Sequence, residues 1–117
     1  MNAKELIKRN KQFAIDCVQL AETLPDTKLG SHIRGQLIRC STSVAANYRA
    51  SRLAQSKAAF IAKLSIVIEE ADESEFWIDL GLAFDLFEPV KAKTLMNEAH
   101  ELASIYIATR NSPEENK

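Results

Sequence analysis

Apolar residues recur every three or four positions along most of the chain, which is the period of an α-helix rather than of a strand. The first such stretch, from about Ala3 to Thr23, places Leu6, Phe13, Cys17, Leu20 and Leu24 on one stripe. Asn2 stands where an N-cap is needed, and Pro25-Asp26 supplies a turn. A second stretch starts near Lys28 or Ser31 and runs to about Leu53, with Ile33, Leu37, Cys40, Val44 and Tyr48 spaced four, three, four and four. Gly30 and Gly35 weaken its first turns by about 1 kcal/mol each relative to Ala. The small residues from Cys40 to Ala46 would let another helix approach closely.

The third stretch, from about Ser56 to Phe84, is apolar on two sides. Phe60, Leu64, Val67, Ile68, Ala71, Ile78 and Leu82 form one stripe, and Ile66, Trp77, Leu80 and Phe84 fall on roughly the opposite side. A helix with two apolar sides needs two partners, here the chain's own core and, by expectation, another subunit. Glu88-Pro89 announces a fourth helix, with Leu95, Ala99, Leu102 and Tyr106 continuing the pattern to about Arg110. The short connections predict antiparallel neighbours. The expected fold is therefore all-α, an antiparallel up-down four-helix bundle over residues 1–110. The polar residues 111–117 are expected to form a flexible C-terminal tail.

Composition agrees with this reading. The 117 residues suffice for one domain with an ordinary core, and only three glycines and three prolines occur, too few for the turns of a β-rich domain. Cys17 and Cys40 sit on apolar helical faces and have neither the number nor the spacing of a disulfide framework or metal knuckle. The first residues lack a signal-peptide core, and no run approaches the ~20 apolar residues of a membrane span. A reducing cytoplasm is the expected compartment.

The net charge of −1 conceals a division. Residues 1–63 hold 11 Lys/Arg against 4 Asp/Glu, whereas residues 64–117 hold 4 against 12. Such asymmetry marks a polyanion-binding face, complementary faces within an assembly, or simply solvated helix surface.

Di-iron bundles use Glu-x-x-His pairs, but Leu29 and Asn97 stand three before His32 and His100, the only histidines. Glu69, Asp72 and Glu73 on the third helix, with Glu98 and Glu101 on the fourth, could in principle hold Mg²⁺ as in all-α hydrolases. Glu69 and Asp72 nevertheless map to the outside, and no basic, Gly-rich element accompanies them. No Ser or Cys has a His–acid pair nearby, and the G-x-S-x-G, P-loop, dinucleotide and Arg-x₄₋₆-His ribonuclease patterns are all missing. The chain is expected not to be an enzyme, and no catalytic residue, metal or cofactor is assigned. Arg34, Arg49 and Arg52 on the second helix, helped by Lys8, Arg9 and Lys11, form the candidate surface for nucleic acid or another partner. No aromatic residues interleave with them to stack on bases.

The segments QLIRCSTSVAANYRAS and FIAKLSIVIEEADESEFWIDL, centred on Ser43, Val44, Ala46, Asn47, Tyr48 and Arg49, resemble a known family. The match continues through Phe60, Lys63, Leu64, Ser65, Glu70, Glu75, Trp77 and Leu80. This family comprises the bacterial four-helix-bundle proteins encoded in intervening sequences of 23S rRNA genes, often labelled ribosomal. The resemblance implies an up-down protomer. It also implies kinship with accessory proteins of diversity-generating retroelements, which form five-membered rings and engage a reverse transcriptase and nucleic acid. It carries no catalytic residues. The chain departs from the family in having Ala50 where a Glu is usual, and in being near neutral where the retroelement proteins are strongly basic.

The reading that results is a non-enzymatic, homo-oligomeric, pentameric helical scaffold. Ile66, Trp77, Leu80 and Phe84 are its expected oligomer interface, and its surface is offered to RNA, DNA or a nucleic-acid-handling protein, with no membrane involved. Asn47, beside the core stripe of the second helix, is expected to act as a polar lock through Ser74 or Glu75 on the third. A purely protein-binding adaptor and the Mg-dependent hydrolase are the alternatives.

Overall fold

The computed structural model describes residues 1–112. Four helices follow one another: α1 (Ala3–Ala21), α2 (Lys28–Ser51), α3 (Lys57–Ala83) and α4 (Pro89–Asn111). Each packs along its chain neighbours and α4 closes back on α1, while the diagonal helices α1/α3 and α2/α4 face each other across the core, where the Tyr48 and Tyr106 rings meet with centroids 5.1 Å apart. The result is an up-down bundle 47 Å long and 20–22 Å across. Asn111 closes the last helix and Ser112 caps it, and the rest of the expected tail, residues 113–117, lies outside the described residues. None of the described helices is long and apolar enough to cross a membrane.

Each helix starts where a side chain can take up orphan backbone N–H groups. Asn2 Oδ1 accepts from Glu5 N at 2.8 Å, Thr27 Oγ1 from Gly30 N at 3.0 Å and Ser56 Oγ from Ala59 N at 3.0 Å. The Glu88 carboxylate accepts from Lys91 N and Val90 N, which lowers its pKa, and Pro89 fills the first helical position. The first two helices stop about two residues before the apolar pattern does. Thr23 Oγ1 turns back to Leu20 O at 2.6 Å and Ser51 Oγ to Tyr48 O at 2.6 Å, so hydroxyls take the carbonyls of the last turns.

The end of α3 is a Schellman motif. Asp85 N donates to Leu82 O, Leu86 N donates to Gly81 O, and Asp85 adopts φ 59°. That reversal lays the buried Phe87 ring over Gly81, where a Cβ would stand 2.2 Å from Phe87 Cε2. Gly30 is equally constrained, because its Cβ would meet Pro25 O at 2.1 Å, whereas Gly35 has nothing within 4 Å.

The expected stripes of α1, α2 and α4 are all buried. On α3, Phe60, Leu64, Val67, Ala71 and Ile78 are buried, but Ile68 and Leu82 only flank the core, half-buried. The polar residue Ser74 takes a core position instead, its Oγ bonded to Glu70 O at 2.8 Å and to Cys40 Sγ at 3.2 Å. Asn10 is likewise fully buried on α1.

Candidate interaction surface

The outward arc of α3 stands opposite its buried stripe. Ile66, Phe76 and Phe84 are 40%, 53% and 55% exposed, unusual for large apolar side chains on the same face of one helix. Leu80 completes the i, i+4, i+8 series Phe76–Leu80–Phe84 and is half-buried. Phe76 was absent from the expected interface, although this four-residue spacing signals it. Trp77 belongs to the flank rather than to the crest of the arc. Its indole Nε1 donates to Glu73 at 3.0 Å, and its ring meets His32 of α2 edge-on with centroids 5.3 Å apart. Phe76 in turn packs edge-on against Trp77 at 5.0 Å. Glu69, Asp72 and Asp79 line the same arc and are exposed.

Much of the charge division is neutralised within the protomer. Arg9 grips Glu98 through two nitrogens, at 2.7 and 2.8 Å, and reaches Glu101 at 3.0 Å, joining α1 to α4. Hydrogen bonds to these carboxylates raise the Arg9 pKa further above its ordinary value. Arg39 joins α2 to α3 by bonding Glu70 at 2.9 Å and also Glu73. The Trp77 indole, and then Arg39, hold the Glu73 carboxyl below its ordinary pKa.

These pairings correct the metal-binding alternative. Glu98 and Glu101 face α1, Glu73 faces α2, and Glu69 and Asp72 point to solvent. The five carboxylates do not converge, and among the described residues no three His, Cys, Asp or Glu side chains are placed to share a metal ion.

The three arginines of α2 do not form one patch. Arg34 and Arg52 share a wheel angle but stand 18 residues apart, about 27 Å along the axis. Arg34 Nη2 donates to Leu24 O at 2.6 Å and contacts Pro25 O and Asp26, so it fastens the α1–α2 turn. Arg52 lies over the Phe60 ring at 5.7 Å. Arg49 remains open to solvent. Sequence reasoning could place these residues on a wheel but could not see the loop carbonyls that occupy Arg34.

Asn47 also differs from expectation. Its amide donates to Ser43 O at 3.0 Å and Ser43 Oγ at 2.8 Å, both on its own helix, while Ser74 bonds Cys40 and Glu75 lies toward His100. Asn47 therefore does not lock α2 to α3. The buried amide between helices is that of Asn10. Its Nδ2 donates to Leu6 O at 2.6 Å, while its Oδ1 and the neighbouring Tyr106 hydroxyl are buried without a hydrogen bond of good geometry. Burial pushes the Tyr106 pKa above its ordinary value. Cys17 and Cys40 are free, fully buried and adjacent across α1 and α2, and burial raises both thiols, Cys40 to about 11.

Fold and surface together define an all-α bundle whose exceptional feature is an exposed apolar face. The chain belongs to the 23S rRNA-intervening sequence protein family, whose profile matches residues 3–108. It is similar to a crystal structure from Bacteroides thetaiotaomicron described as a protein of unknown function from the S23 ribosomal protein family. The identity is 28%, the TM-score 0.84, and the match covers 91% of this chain and 98% of that one. No curated protein matches the sequence.

Proposed function

We propose that the chain is a non-enzymatic helical scaffold that assembles with copies of itself and offers the assembled surface to a partner. The observation that carries this reading is the outward arc of α3, where Ile66, Phe76 and Phe84 remain exposed although the protomer core is complete without them. An exposed apolar series on a small protein stabilises contact with another surface when it is covered. A five-membered ring is the assembly that the family resemblance suggests, and free buried thiols suit a reducing cytoplasm.

Nothing in the bundle or in its relatives indicates catalysis. A nucleic-acid partner draws support from Arg49 alone among the three α2 arginines, since Arg34 and Arg52 have structural engagements. A protein partner meets the same assembled surface without requiring a basic track.

Sedimentation velocity on Phe76→Glu and Phe84→Glu tests the reading. Both side chains are more than half exposed, so the variants should keep full helicity and fall to a 13.1 kDa species. Variants that assemble like the parent would remove α3 from the interface.

A further inference from the structure

The outward faces of α1 and α3 carry complementary charge that the protomer itself does not use. On α1, Lys4, Lys8 and Lys11 recur at helical spacing with the exposed Ile15, opposite the buried stripe. On α3, Glu69, Asp72 and Asp79 line the arc that bears Phe76. Arg9, Arg39, Glu70, Glu73, Glu98 and Glu101 are consumed in ion pairs inside the bundle. Among the described residues, none of the three lysines and none of Glu69, Asp72 and Asp79 makes an ion pair. α1 and α3 are diagonal in the bundle, so these two faces look away from each other.

We infer that the α3 face of one copy is covered by the α1 face of the next, a head-to-tail contact; this rests on the self-assembly proposed above. A two-fold contact of α3 on α3 would bring Asp72 and Glu69 against their own copies or against each other's neighbours, acid facing acid. Lys8 and Lys11 remove that conflict at Glu69 and Asp72, whereas Glu22 at the far end of α1 offers Asp79 no such partner. Exposed ion pairs add little affinity individually, yet they decide which faces meet.

The heights of the residues agree with this pairing. Ser74 of α3 bonds Cys40 of α2, whose sulfur acts on the Cys17 thiol of α1, and on the other side of the bundle Arg9 of α1 bonds Glu98 of α4 while His100 of α4 faces Glu75 of α3. These two routes bracket the levels of Lys8 and Lys11 to within about two turns of the Glu69–Asp72 stretch. Rotation about an axis parallel to the bundle preserves these heights and keeps α1 and α3 parallel, as they are within the protomer. Lys8 and Lys11 therefore reach Glu69 and Asp72 of the next copy.

Charge reversal tests the pairing by sedimentation velocity on the full chain, at about 50 mM salt where surface charges act over more than 10 Å. Lys8→Glu with Lys11→Glu should raise the midpoint concentration for assembly roughly tenfold or more, as should Glu69→Lys with Asp72→Lys. Combining all four substitutions in one chain should restore assembly. Assembly that ignores Lys8→Glu with Lys11→Glu, that tightens on Glu69→Lys with Asp72→Lys alone, or that fails in the four-substitution chain overturns the pairing while leaving self-assembly standing. A parent chain of 13.1 kDa throughout would instead remove self-assembly, and the pairing with it.

Discussion

Gly81→Ala sets two effects of opposite sign against each other within one helix. Replacing a mid-helix Gly by Ala ordinarily stabilises by about 1 kcal/mol, because the unfolded chain loses conformational freedom. At Gly81 the new Cβ would stand 2.2 Å from Phe87 Cε2, 2.6 Å from Cδ2 and 3.1 Å from Cζ. Phe87 is 4% exposed, so the ring must leave a buried site whose full loss costs about 1.5–3 kcal/mol. It must also loosen the Schellman turn that places it. The clash outweighs the propensity gain, for a net destabilisation of about 1–2 kcal/mol. At about 4 °C per kcal/mol for a domain of roughly 100 residues, Tm should fall by about 4–8 °C. Gly35→Ala is the control, since nothing lies within 4 Å of its Cβ, and it should raise Tm by about 4 °C. Circular dichroism melts at one matched protein concentration measure both, because assembly makes Tm concentration-dependent. Gly81→Ala with Phe87→Ala should show no further penalty from the clash. A Gly81→Ala protein that gains stability as Gly35→Ala does would refute the packing of Phe87 on α3.

Two further predictions concern the core. Cys17 and Cys40 are held neutral by burial, whereas unfolded thiols ionise near pH 9.0. Their contribution is thus fully present below pH 9.0 and lost as pH rises toward the folded value of Cys40, about 11, costing about 2 kcal/mol from Cys40 alone by then. Urea midpoints across that window should fall less steeply for Cys40→Ala than for the parent, and identical slopes would contradict the assignment. The Tyr106 hydroxyl is buried without a well-formed partner, so Tyr106→Phe should change stability by less than about 0.5 kcal/mol or raise it. A loss above about 1 kcal/mol, read by urea denaturation, would mean that the hydroxyl makes a bond of value.

The bundle was legible because three of its helices carry a single stripe, and Leu6–Leu20, Ile33–Tyr48 and Leu95–Tyr106 all turn inward. Residues whose chemistry disguises their place were harder to read. Asn10 lies four after Leu6 and three before Phe13, and Ser74 lies three after Ala71 and four before Ile78. Spacing puts both in the core, while polarity argues against it. On α3 the two apolar sides dilute the stripe, so Ile68 and Leu82 read as core although they only flank it. Contacts between distant segments were beyond a wheel projection. Arg9 and Glu98 are 89 residues apart, and Arg34 is occupied by turn carbonyls that have no sequence signature. The charge division was visible from the start, but only the bundle separates the charges spent internally on Arg9 and Arg39 from those left on the outer faces of α1 and α3.

The mass of the unmodified protein in solution tests the central claim most directly. Light scattering on a size-exclusion column at micromolar concentration should return a multiple of 13.1 kDa greater than two, about five times that value for the ring the family suggests. A constant 13.1 kDa species would mean that the exposed face of α3 is not a self-assembly surface.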